Sequence, residues 1–110
     1  MSKVATVDLE AGRPTVEEAL SRLRNAISTH KKQGRKALIL IHGYGSSGEG
    51  GKIRSAVRRE LSGNLGRMVR DMSPGEEWHE HRGRLLGICK ALEEHQRRIA
   101  SNDGVTVVIL

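Results

Sequence analysis

Ala37-Leu38-Ile39-Leu40-Ile41 runs directly into His42-Gly43-Tyr44-Gly45-Ser46-Ser47-Gly48-Glu49-Gly50-Gly51-Lys52, and this junction decides the fold. Five consecutive aliphatic residues read as a strand buried on both faces. Five glycines among residues 42–51 exclude regular structure and require a loop. Past the loop, Ile53, Val57 and Leu61 recur at helical spacing, which predicts a helix from about Lys52 to Leu61 with Arg54, Arg58 and Arg59 on its remaining surface. A loop that leaves the end of a buried strand and feeds a helix gathers free backbone N–H groups and the positive end of a helix dipole. Such a spot suits a phosphate, and Lys52 and Arg54 add full charges there.

The same alternation of period two and period 3.6 extends in both directions. Toward the N-terminus, Val4 to Leu9 reads as a strand, followed by a turn at Ala11-Gly12-Arg13-Pro14. Thr15 with Glu18 forms a capping box ahead of a helix whose apolar face is Ala19, Leu20, Leu23, Ala26 and Ile27, closed by Lys31, Lys32 and Gly34. Toward the C-terminus, Met68 to Met72 reads as a strand stopped by Ser73-Pro74-Gly75. Leu85, Leu86, Ile88, Cys89, Leu92 and Ile99 recur at helical spacing and predict a third helix from about Arg84 to Ala100. Asn102-Asp103-Gly104 turns the chain into a last strand, Val105 to Leu110. The order β-α-β-α-β-α-β, with no repeat and no linker, argues for a single α/β domain over residues 1–110, built as a two-layer α+β sandwich.

Nineteen Lys+Arg against 13 Asp+Glu give a formal net charge of +6 and a pI near 10.1, which favours a polyanionic partner. Cys89 is the only cysteine, so an intramolecular disulfide and a thiolate-rich zinc site are excluded and a reducing compartment fits. Residues 1–6 lack the apolar run of a signal peptide, and no stretch approaches the ~20 apolar residues of a membrane span. A cytoplasmic, membrane-free protein is expected. Phe is absent and the only aromatics are Tyr44 and Trp78, so an aromatic platform for stacked bases is disfavoured and contacts to phosphate must dominate.

Other glycine-loop chemistries are separated by spacing. Gly43-x-Gly45-x-x-Gly48 satisfies the dinucleotide pattern, with Asp71 at the end of the next predicted strand where a ribose-binding acid would go, so a nucleotide-binding domain using this loop is one alternative. The loop, however, runs on to Gly51 before any helix opens. The Walker A pattern fails because Ile53 follows Gly51-Lys52, and acyl transfer fails because the chain has no Gly-x-Ser-x-Gly elbow.

Val7-Asp8-Leu9, Thr15-Val16-Glu17-Glu18-Ala19, Leu40-Ile41-His42-Gly43-Tyr44-Gly45, Lys52-Ile53-Arg54-x-x-Val57 and the terminal Gly104 to Leu110 together resemble the Smr (small MutS-related) domain. The resemblance covers Val4 to about Leu61 and then the last strand. It implies a four-stranded mixed sheet with helices packed on it, as in the C-terminal domain of bacterial translation initiation factor three. It also implies binding of DNA or RNA, with endonuclease or nicking activity in several members. Two departures stand out. The histidine that the family's first motif ties to cleavage is replaced, Asp8-Leu9 running on through Glu10 and Ala11 to Gly12, and the segment from about 73 to 103 is elaborated with an extra helix.

Candidate catalytic residues are therefore His42, Asp8 and Glu10. Candidate nucleic-acid contacts are Gly43, Tyr44, Gly45, Lys52, Arg54 and Arg58. For each there is a plainer reading: a hydrogen-bonded structural histidine, surface carboxylates, a solvated basic helix face. His79-x-His81 beside Glu76, Glu77 and Glu80 has metal-ligand types, but in a polar segment flanked by Pro74 and Gly75 it reads as surface, and no metal site is assigned. No cofactor is required, although cleavage would bring in a divalent metal. The competing functional class is a non-catalytic adaptor bound to a nucleic-acid complex or the ribosome.

Overall fold

A computed structural model describes residues 2–43 and 50–110. Strand β1 (Val4–Asp8) is followed by helix α1 (Val16–Lys32), strand β2 (Ala37–Ile41), helix α2 (Gly50–Ser62), strand β3 (Asp71–Pro74), helices α3 (Trp78–Ile88) and α4 (Gln96–Ile99), and strand β4 (Val105–Ile109). Short 3-10 turns cover Gly75–Glu77 and Lys90–His95.

The strands form one mixed sheet in the order β1-β2-β4-β3, with β1 parallel to β2 and β4 antiparallel to both its neighbours. The central pair is the most apolar: Ala37 to Leu40 and the whole of β4 are buried. Side-chain alternation sends Leu38, Leu40 and Val108 to one face, where they pack against Leu20, Leu23 and Ile27 of α1 and Ile53, Val57 and Leu61 of α2. Ala37, Ile39, Val105, Val107 and Ile109 go to the other face, covered by Trp78, Leu85, Cys89, Leu92 and Ile99. The four-stranded mixed sheet of the expected α+β sandwich is present, but the segment after β3 covers its second face, so the sheet lies between two helical layers and not under one.

Local signals explain the elements. Thr15 Oγ1 accepts the Glu18 N–H (3.1 Å) while the Glu18 carboxylate accepts the Thr15 N–H (3.0 Å), the reciprocal capping box. Two expectations need correction. The third strand begins at Asp71 rather than Met68, because Met68 and Val69 pack against the α1–α2 core and the chain enters the ladder beside β4 only from Asp71. Pro74 ends that strand without cost because β3 lies at the sheet edge.

The predicted helix from Arg84 to Ala100 starts six residues earlier, at Trp78, and breaks at Cys89, whose backbone is extended (φ −134°, ψ 92°). A straight helix from 78 to 99 would be about 33 Å long, while five-residue strands are only about 17 Å long. Breaking the helix folds Cys89, Leu92 and Ile99 back over the sheet, where an unbroken helix would carry them past its edge.

Candidate functional site

The parallel strands β1 and β2 end side by side, Asp8 opposite Ile41, and the Leu9 N–H continues the pairing to the Ile41 carbonyl (2.8 Å). Between β2 and β4 the Gly104 carbonyl accepts both the His42 and Gly43 N–H groups (3.0 Å each). The start of α2 lies at the same end of the sheet, since α2 follows β2 and packs beside α1. His42, Gly43, Asp8, Glu10, Lys52, Arg54 and Arg58 are thus gathered at one end, the place where open α/β sheets carry ligands. Tyr44 and Gly45 lie outside the described residues.

His42 is fully buried, and both ring nitrogens are engaged. Nδ1 donates to the Gly43 carbonyl (2.8 Å); a carbonyl only accepts, so this assigns the proton to Nδ1. Nε2 then accepts the Thr106 hydroxyl proton (2.8 Å), and the Thr106 oxygen accepts the Arg58 Nε–H (3.1 Å). Arg58 closes the chain with a bidentate pair to Glu76, both bonds 2.8 Å. Burial holds the His42 imidazole below its ordinary pKa. The Arg58 and Arg54 guanidiniums push the same way, while the Gly43 bond and Glu76 oppose them. Burial raises the Glu76 carboxyl, but the Arg58 bonds, a backbone hydrogen bond and the Arg58 and Arg54 charges together outweigh that, and its pKa lies below the usual range.

Arg58 is therefore a strut joining α2 to β4 and to the segment after β3. Arg54 is held more loosely, by a 3.4 Å pair to the half-exposed Asp103. Lys52 is exposed and lines a shallow groove with Val16, Gly51, Ser55, Ala56 and Arg59. Three members of this site were not among its candidates in the sequence: Thr106, Glu76, read there only beside the His79-x-His81 segment, and Asp103, read only as a turn residue. Thr106 had a signal, being the one polar residue within Val105–Ile109.

Asp8 is exposed, and its Oδ1 accepts the Glu10 N–H (2.9 Å). Glu10 lies beyond the end of β1 and folds its carboxylate over Gly43, filling the space a Cβ there would need. With φ +74° as well, any other residue at position 43 would be strained and would displace the Glu10 carboxylate. Among the described residues Asp8 and Glu10 do not belong to any three-residue group of metal-ligand side chains. Such a group does form from Glu77, Glu80 and His81, whose ligand atoms lie within 4.8 Å of one another; His79 is not part of it. There the His81 ring donates from Nε2 to Glu77 (3.2 Å) and accepts at Nδ1 from Arg84 (3.3 Å), so both its nitrogens are already hydrogen-bonded. Asp71, the acid that a dinucleotide reading would use, sits at the start of β3, at the far end of the sheet from the loop. There its carboxylate is clamped by Arg84 and its pKa lowered, chiefly through those bonds. It cannot share a ribose with a ligand on the glycine loop.

Among the described residues no helix is long and apolar enough to cross a membrane. Compared with known proteins, residues 8–90 match the Smr domain. No curated protein and no solved structure matches the chain significantly.

Proposed function

We propose that this chain, which belongs to the Smr domain family, binds nucleic acid as a non-catalytic module, gripping phosphate near the start of α2. Family membership supports the ligand class. The observation that carries the non-catalytic reading is the enclosure of His42. A general base must reach the proton it takes, directly or through one water, and this ring is buried with both nitrogens bonded to Gly43 and Thr106. Glu10 and Ala11, where the family's cleavage histidine is missing, point the same way. His42 then serves to hold the strand end from which the glycine loop departs. The exposed Arg54–Asp103 pair is worth at most about 1 kcal/mol, so a phosphate can replace Asp103 on Arg54 at little cost.

The test uses purified protein with single-stranded, duplex and branched DNA and RNA oligonucleotides, and with supercoiled plasmid in the presence of Mg2+. The expected result is salt-sensitive binding, weakened by Arg54→Ala, with no nicking. Nicking lost on His42→Ala in a variant that still folds would establish a nuclease instead. Absence of binding to every oligonucleotide would refute the nucleic-acid reading altogether.

A further inference from the structure

Among the described residues, cations and carboxylates stand side by side at the glycine-loop end of the sheet. There Arg54 and Arg58 are paired with Asp103 and Glu76, and Asp8 and Glu10 add two more carboxylates. The opposite end has the reverse balance. No acidic residue occurs from 28 to 48 or from 61 to 70, and the chain passes through that far end in both stretches. Across this end of the sheet, where β1, β2 and β3 start and β4 finishes, the Lys36 N–H donates to the Lys3 carbonyl, the Leu110 N–H to the Lys36 carbonyl and the Arg70 N–H to the Ile109 carbonyl. Lys3, Lys36 and Arg70 thus stand in a row across the sheet, all three exposed. Lys31 and Lys32 close α1 at the same end, and Lys31 Nζ donates to the Met68 carbonyl (2.8 Å).

Arg35, Lys36 and Arg70 also line one depression with Ile88, Ile109 and Leu110. Arg35 donates to the Ser2 carbonyl (2.8 Å), yet its buried Nε has no partner among the described residues. Asp71, which follows Arg70, is already held by Arg84, and Glu60 by Arg24 and Asn64. Among the described residues, no carboxylate pairs with Lys3, Lys31, Lys32, Lys36 or Arg70.

From this segregation we infer that the end of the sheet opposite the glycine loop is a second binding surface, and that its occupant is the phosphodiester backbone of nucleic acid. Four strands at a spacing of about 4.8 Å give a row some 15 Å wide. One strand of a duplex presents about four phosphates over that length. A row of unpaired, exposed lysines and an arginine without aromatic neighbours suits backbone contact rather than base readout. The two ends are separated by the strand length, about 17 Å, so they meet different phosphates. The inference rests on the proposed nucleic-acid function and adds to the phosphate contact at the start of α2 a second, separate contribution to the salt dependence from this far surface.

The experiment compares wild type, Lys36→Gln/Arg70→Gln and Arg82→Gln/Arg97→Gln, which removes the same charge from the helices on the second sheet face. Affinity for a labelled oligonucleotide is measured against salt concentration, with folding checked by circular dichroism. The first double variant is expected to flatten the log–log salt slope by about two units and to lower affinity at least about tenfold. The second is expected to leave both near wild type. Acetylation footprinting of wild type gives an independent reading, with bound oligonucleotide protecting Lys3, Lys32 and Lys36. Equal effects of the two double variants, or protection confined to Lys52, would overturn the second surface. If wild type binds no oligonucleotide, the proposed function itself falls along with it.

Discussion

His42 enters the folded state neutral, whereas in the unfolded chain it takes up a proton near its ordinary value of about 6.5. Its pKa is lowered by burial first of all. The unfolded state therefore binds more protons below about pH 6.5, and by linkage stability falls as pH drops from there toward the depressed native pKa. His30, also lowered mainly by burial, contributes in the same direction. Glu18, Glu60, Asp71 and Glu76 are lowered too, but for these acids the loss begins only below their ordinary values of 4.5 and 3.8, a separate window. His42→Asn should thus show a smaller decline in Tm between about pH 7.5 and about pH 5 than wild type. Proton NMR of wild type should find the His42 ring titrating below 6.5, and a value at or above that would contradict the enclosed ring. The histidine was legible in the sequence as a site residue at a strand end. Its partners were not: Thr106 lies 64 positions away, and only the β2–β4 pairing brings it to Nε2.

Gly75 shows how elements are joined where two non-adjacent segments cross. It is buried in the turn between β3 and α3, and a Cβ there would run into the Asn102 and Ile99 carbonyls and the Val105 side chain. Two of these three obstacles are backbone and cannot rotate away. Gly75→Ala should therefore cost about 1–3 kcal/mol, seen as a fall in Tm of about 4–8 °C per kcal/mol. Gly87→Ala, with open space around it, serves as the comparison and should not destabilise. A Gly75→Ala protein as stable as wild type would mean that this crossing is slack. In the sequence Gly75 reads only as the end of a strand, because the crowding comes from residues 99–105. Helix existence was equally legible from period 3.6, but the break at Cys89 was not. The spacing of Leu85, Cys89, Leu92 and Ile99 suits one long helix, and only the short strands beneath make that helix too long.

Across the whole molecule, β2 and β4 are the strands bonded on both sides and covered on both faces, while β1 and β3 are edges. Hydrogen exchange should find the amides of Leu38 to Leu40 and Thr106 to Val108 opening only with global unfolding, and the outward amides of β1 and β3 exchanging faster. Uniform protection across all four strands would contradict this sheet order. By itself the sequence determined the strand–loop–helix junction at His42, the capping box at Thr15, the apolar central strands and the excess of positive charge. Each of these is set by neighbours a few positions apart, through side-chain period, capping chemistry or plain composition. Tertiary structure alone decided that Arg58 is tied to Glu76, that Asp71 stands away from the loop and that the unpaired cations collect at the opposite end of the sheet. Those outcomes depend on strand order and direction, which bring distant residues together, and no local pattern in the chain encodes which acid will meet which base.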